Sequence, residues 1–266
     1  MSPALTVWVR GIGLWAPGMA DWTTFRAIVR NEASPGEVTR PVADTLPANE
    51  RRRAPESVLL AAAAAGQAVA MSGLSAADLA CVFASGHGDQ TITDYMCATL
   101  ASAPAELSPI RFHNSVHNAP VGYWTIATHC HAASSAVSAA TYSFGAGLLE
   151  AAMLAVADER DVLFAAYDIA GTGPLREMTA CTGAFAASLV LSPHPHQGAA
   201  RIDLTLVPGN IRDASLGDAR MDGLAHSNPT GAGLRLMEAL AQEQSLALRV
   251  ATADSLDVHL DVEACR

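Results

Sequence analysis

Ser108–Ala152 reads SPIRFHNSVHNAPVGYWTIATHCHAASSAVSAATYSFGAGLLEAA, and the fold turns on it. A polar loop, Ser108–Asn118, carries His and Asn beside Phe112 and Val116. An apolar segment, Ala119–Ala127, follows and is read as helical to Cys130. A small-residue run, Ala132–Ala140, then meets a turn at Thr141-Tyr142-Ser143 and enters an Ala/Leu/Met-rich helix over Tyr142–Ala157. A strand that turns sharply into a helix lifts its turn residue above the sheet, where the free N–H groups of the first helical turn point at it. The residue on that turn is Thr, Tyr or Ser, and not Cys. The strand assignment, Ser134–Ala140, runs against the low β-propensity of Ala and Ser.

Outward from this stretch the chain alternates. Leu5–Val9 is a strand, ended by Gly11, Gly13 and Pro17-Gly18. Asp21 caps a helix over Trp22–Arg30. Residues 31–55 read as loop. Glu56–Met71 is a helix of Ala and Leu stopped at Ser72-Gly73. Ala80–Ser85 is a strand, turned by Gly86-His87-Gly88-Asp89 into a helix over Gln90–Leu100. Asp161–Tyr167 is a buried strand, Gly171–Met178 a loop, and Phe185–Leu191 and Arg201–Val207 are strands. Beyond Pro208, Asn210–Ser227 reads as loop, Leu234–Gln244 as helix, and Leu246–Val250 with Leu256–Val262 as a hairpin. The alternation implies an α/β fold with a largely parallel sheet covered on both faces. The expected division is residues 1–207, then a helix-plus-strands extension, 208–266, on the same domain.

Half of the 266 residues are hydrophobic and 16% are charged, so a sizeable core is available; aromatics are only 5%, so Ala, Leu and Val must fill it. A formal net charge of −10 argues against a nucleic-acid surface, which needs clustered cations. The run Arg51-Arg52-Arg53 is a solvated loop edge or a contact for an acidic partner such as a carrier protein. Five scattered Cys (Cys81, Cys97, Cys130, Cys181, Cys265) with no CxxC pair fit a reducing compartment. The N-terminus lacks a signal-peptide pattern and no run reaches about 18 apolar residues, so a soluble cytoplasmic protein is expected.

Several motifs reduce to structure. Gly11-Ile12-Gly13 lacks the third Gly of a dinucleotide fingerprint and any Gly-Lys-Ser/Thr. Gly86-His87-Gly88-Asp89 has no nucleophile paired with it in sequence. His113, His117, His129 and His131 are candidate metal ligands, but no HExxH or nearby carboxylate supports them. His194 and His196 read as surface. Cys130, between two His, sits at a helix end and off the turn. Thr141 is better placed, but its hydroxyl is hard to deprotonate without an aligned base.

Over residues 5–192 the chain resembles the N-terminal half of the β-ketoacyl synthases, of the thiolase fold. The residues that carry this are VWVRGIGLWAPG, Arg53 with the Ala-rich helix, CVFASGHGD, SPIRFHNSVHNAPVG, the elbow, and DVLFAAYD. In that family an Asn-x-x-x-Gly helix start precedes the active Cys by about two dozen residues, and an Asp-Val-type strand start follows it by about twenty. Asn118 and Gly122 match the first landmark, Asp161-Val162 the second, and both counts meet at Thr141. The His-Gly-Thr-Gly-Thr loop and the later His-bearing loop of the family's C-terminal half are missing, and His226-Ser227-Asn228-Pro229-Thr230 is not a convincing replacement. The pattern resembles the short ketosynthase-like subunits of aryl polyene and related clusters: a thiolase-like fold with a largely complete N-terminal half and a truncated C-terminal half. The resemblance implies a chain-length-factor-like subunit without catalysis of its own, paired with a full-length β-ketoacyl-ACP synthase and meeting acyl carrier protein through the complex. It implies no cofactor and no metal. Phe112, His113, Asn114, His117 and Asn118 are then expected near the shared acyl tunnel. Ser134, Ser135 and Ser138 are expected at the interface, beside Tyr142 and Ser143. The competing readings are a stand-alone thiolase-like acyltransferase or hydrolase using Cys130 or Thr141, and a metal-binding protein using the four His.

Overall fold

The computed structural model describes residues 5–179, 181–195, 198–209 and 219–265. Strand β1 (Leu5–Trp15) leads to α1 (Trp22–Val29), whose N-cap Asp21 accepts from the Thr24 amide at 2.7 Å. Next come α2 (Ala48–Arg53), α3 (Glu56–Ser72), β2 (Ala80–Ala84), α4 (Gln90–Ser102), α5 (Pro109–His113) and α6 (Ala119–Thr128). The edge strand β3 (Ser134–Val137) runs through a 3-10 turn, Ala140–Tyr142, into α7 (Ser143–Ala157). Then follow β4 (Val162–Asp168), α8 (Gly173–Thr179), β5 (Phe185–Ser192), β6 (Ala200–Pro208), α9 (Ala219–Ser227), a 3-10 segment Pro229–Gly233, α10 (Leu234–Gln242), β7 (Leu246–Ala253) and β8 (Leu256–Ala264).

Strand β1 runs through Gly11 and Gly13 instead of stopping at them. A Cβ on Gly11 would lie 2.0 Å from the Ala68 carbonyl oxygen, and one on Gly13 1.9 Å from that of Ala64. Two glycines two apart share one strand face, and Ala64 and Ala68 share one helix face. The glycines therefore seat the α3 backbone directly on the sheet; they are packing residues, not turn signals. Helix α3, of Ala on nearly every side, is buried from Ser57 to Ala65.

The sheet order is β3-β2-β4-β5-β1-β6-β8-β7. Among the described residues only the β3–β2 and β2–β4 pairs are parallel and every other pairing is antiparallel, so the sheet is mixed and not largely parallel. The physical reason is that β4 and β5 are joined by a short helix and loop that reverse the chain, and that β8 returns from β7 by a hairpin and inserts between β6 and β7, antiparallel to both. Three other expectations shift. The 31–55 segment contains α2, bracketed by Pro47 and Pro55. The Gly171–Met178 segment contains α8, with Pro174 in its first turn. The part of Asn210–Ser227 that is described, from Ala219 on, is helical; 210–218 and His196 lie outside the described residues.

Two apolar layers flank the sheet. On one side Cys81, Phe83, Leu163, Ala165 and Tyr167 pack against α3 and α6. On the other, Val82, Ala84, Phe164 and Ala166 pack against Phe144, Leu148, Ala151 and Ala152 of α7. The C-terminal hairpin then reaches round to α7 from the opposite direction. A Cβ on Gly147 would lie 2.6 Å from Ala84 Cβ, on the central sheet, whereas one on Gly145 would lie 2.1 Å from the Ala251 oxygen of β7. The sheet thus curls about α7. Residues 140–157 are long and apolar enough to cross a membrane by composition, but here they form the 3-10 turn and α7, which packs one side into the core and leaves a stripe exposed.

Candidate functional site: the elbow above the end of strand β2

Ala140 sits at φ 50°, in the left-handed region, so the chain reverses within one residue between β3 and α7. Ser143, buried at 1% exposure, locks that reversal: its Oγ accepts from the Ala139 amide at 2.8 Å and donates to the Ala140 carbonyl at 2.8 Å. Thr141 is left exposed on top, at the N-terminal end of α7. Tyr142 beside it donates to Asp254 Oδ1 at 2.9 Å, and that carboxylate raises the pKa of the Tyr142 hydroxyl.

Beneath the elbow lies the carboxyl end of β2. Its successive carbonyls tether two of the expected site residues. Ser85 O accepts from His117 Nε2 at 3.0 Å, and Gly86 O accepts from Ser138 Oγ at 3.2 Å. A carbonyl can only accept, so His117 carries its proton on Nε2. A Cβ on Gly86 would lie 2.8 Å from Ala140 O and 2.9 Å from Pro229 Cγ, so the glycine lets the turn, the elbow and the 229 loop converge. The polar loop and the elbow, twenty-odd residues apart in sequence, are thus joined at one strand end.

Under this junction is a carboxylate that sequence reasoning missed. Asp168 ends β4 and is 1% exposed. It accepts from Ser85 Oγ (2.8 Å), the Gly86 amide (3.2 Å), the His87 amide (3.1 Å) and Thr230 Oγ1 (3.1 Å). Burial pushes its pKa up to about 6 despite those donors, so desolvation outweighs them. Asn228 closes the knot: its Nδ2 donates to Asp168 O at 2.9 Å and to Gly183 O at 2.7 Å, and its Oδ1 accepts from the Thr230 amide at 2.9 Å. The Asn228-Pro229-Thr230 segment is therefore a clamp on β4. The signal for Asp168 was present: an Asp closing an otherwise apolar strand needs a set of buried donors. Burial also lowers the pKa of His87, whose Nε2 is buried with no partner among the described residues.

The other expected residues separate. Phe112 and His113 are exposed on α5, with Phe112 at 59%. Asn114 is buried and accepts from the Tyr123 hydroxyl at 3.1 Å, so it fixes the loop from inside. Asn118 is exposed at the N-cap of α6 and makes no side-chain capping bond. Ser134 is exposed on the edge strand, and Ser135 Oγ donates to Glu150 Oε1 of α7 at 2.5 Å.

Two candidates fall to geometry. Cys130 is buried in the α3/α6 layer, on the opposite face of the sheet from α7, and its thiol donates to Leu79 O at 3.2 Å. It cannot serve as a nucleophile on the elbow. His117 and His129 lie at opposite ends of α6, a ten-residue helix about 15 Å long. No group of three or more potential metal ligands occurs among the described residues, so the four His do not make a metal centre there.

The profile of the beta-ketoacyl synthase N-terminal domain matches residues 22–254. The chain belongs to this family. No curated protein matches this chain. Among solved structures, a chain from the ketosynthase–chain length factor complex of Xenorhabdus doucetiae is 22% identical with a TM-score of 0.72, the match covering 97% of this chain and 99% of that one. A chain from the ishigamide ketosynthase/chain length factor is 12% identical with a TM-score of 0.73, covering 98% and 100%. A beta-ketoacyl synthase from Burkholderia phymatum STM815 is 13% identical with a TM-score of 0.56, covering 90% of this chain and 71% of that one. At these identities the likeness is one of fold: the thiolase-like ketosynthase fold, built on a mixed α/β sheet.

Proposed function

We propose that this ketosynthase-family chain is a non-catalytic, chain-length-factor-like subunit that pairs with a full-length β-ketoacyl-ACP synthase and shapes its acyl tunnel. The observation that carries the reading is Thr141 on the elbow, at the position where residue spacing puts the family's nucleophilic Cys. A Thr hydroxyl there needs a strong base to become a nucleophile. His117 is held at Ser85 O through Nε2, and among the described residues no hydrogen bond joins an imidazole to Thr141. Length supports the reading. The matched chains of the two paired complexes are covered over 99% and 100% of their length, the beta-ketoacyl synthase over 71%.

In this reading β3, with Ser134, Ser135 and Ser138, meets the equivalent strand of the partner. Phe112, His113, His117, Asn118 and Tyr142 lie toward the shared tunnel, while Asn114 and Ser143 hold their supports in place. Residues 1–207 carry the ketosynthase-like half and 208–266 the extension. The complex works in the cytoplasm on carrier-protein-bound chains during iterative polyene or fatty-acid-type elongation, as in aryl polyene clusters.

Affinity purification of the tagged chain from its host, with co-purifying proteins identified by mass, tests it. Stoichiometric recovery of a full-length ketosynthase, whose elongation activity survives Thr141→Ala in this chain, is expected. A chain recovered without a ketosynthase, or activity abolished by Thr141→Ala, would overturn the reading.

A further inference from the structure

Between the two free edges of the curled sheet, α7 is open to solvent along one stripe. The groove there has a volume of about 680 Å³ and is lined by Ser134 and Ser135 from β3, Ala146 and Met153 from α7, and Thr252 and Leu256 from the hairpin. Among the described residues, Glu150 is the only charged one lining it. One of its oxygens takes the Ser135 hydroxyl; the other has no partner among the described residues. Asp254, next in sequence to the lining Ala253, adds a second carboxylate, held by Tyr142. The face is therefore apolar, acidic, and bounded by an unpaired strand edge, a surface that invites strand addition.

We propose that Glu150 decides which chain adds to that edge: it excludes a second copy of this chain and selects a ketosynthase strand that brings a cation or strong hydrogen-bond donor to the groove. This rests on the subunit reading above and names its selectivity device. Symmetry makes the argument. Two identical antiparallel strands in one sheet are related by a two-fold axis perpendicular to it, which places both copies of α7 on the same side. β3 is only four residues long, so Ser135 lies within a residue or two of any such axis, and Glu150 lies directly beneath Ser135. A homodimer would bury two Glu150 carboxylates beside each other with no cation in the groove. Like charges brought together in an interface reject the wrong partner, and an opposite charge in the same place favours the right one. Ser135 holds the carboxylate in position for both effects.

The test uses the full chain alone and with the ketosynthase recovered above. Wild type and Glu150→Gln are compared by sedimentation velocity over a range of concentrations. Both also carry Ala136→Cys, in the middle of β3, with the accessible Cys97 and Cys265 replaced by Ser, so that a short bis-maleimide reports dimers made through this edge. Glu150→Gln is expected to self-associate at a concentration at least about tenfold lower than wild type, with β3-to-β3 cross-links. It is expected to bind the ketosynthase about tenfold more weakly, and Glu150→Arg not at all. Equal self-association of wild type and Glu150→Gln, or a wild-type homodimer cross-linked at β3, would overturn the proposal. Unchanged ketosynthase affinity in both Glu150 variants would also overturn it. If wild type binds no ketosynthase, the subunit reading fails, and the self-association arm still decides whether Glu150 blocks the homodimer.

Discussion

Asp168 is the residue on which the site's floor depends, and its ionisation has a sign. Its folded pKa, about 6, stands above the ordinary value of 3.8. Between those values the folded chain holds more protons than the unfolded one, so its contribution to stability is fully present below about 3.8 and is lost as pH rises through about 6. Denaturant midpoints of wild type should fall relative to Asp168→Asn between about pH 4 and 7, by an amount equivalent to roughly 2–3 kcal/mol. Parallel pH profiles would show the carboxylate to be less buried than its surroundings imply. Ser143 sets a second residue-scale expectation. Ser143→Ala removes both hydrogen bonds of the elbow and should cost about 1–3 kcal/mol, read as a lower midpoint in the same titration. At this scale the sequence was legible where a local pattern carried the information, as at the strand-to-helix turn of residues 140–142. It was illegible where a role depends on a distant partner. Asn228 and Thr230 read as a failed catalytic loop because nothing in their neighbourhood announces a carboxylate sixty residues away.

The elements meet through glycine. Gly13→Ala would drive a methyl into the Ala64 carbonyl, backbone against backbone, with no side chain to move aside. Loss of soluble protein is expected, whereas Gly122→Ala, on α6 with nothing near its would-be Cβ, should be neutral to stabilising in thermal melts. Gly145→Ala should act differently from Gly13→Ala. It pushes the β7 backbone away from α7, so limited proteolysis should release or trim the C-terminal hairpin while the rest of the chain persists. Helices such as α3 and α7, and the 246–264 hairpin, were readable from period and composition. Strand direction was not, since β4 and β5 look alike as apolar runs whether they pair parallel or antiparallel. The extent of β1 was misread because a glycine that marks a turn and a glycine that seats a helix are the same letter.

For the whole molecule, the exposed and buried parts of the site should separate experimentally. Phe112→Ala should leave thermal stability unchanged, because the ring is 59% exposed, yet, under the proposed pairing with a ketosynthase, shift the product lengths, read by mass spectrometry of the released chains. A change in stability with no change in products would place Phe112 away from the tunnel. The overall architecture followed from the order of motifs in sequence, but the enclosure of α7 did not, because it depends on the curl of a sheet whose outermost strands come last. That order governs how the protein is made. Helix α7 ends at Ala157, while the strands that close over it, β7 and β8, end at Ala264. At ribosomal rates of about 5–20 residues per second, the most apolar helix of the chain emerges on the order of ten seconds before its cover exists. During that interval the nascent chain presents a stretch with the composition of a membrane span, so its yield in a cell will be set by chaperone supply and by how quickly its last hundred residues are translated.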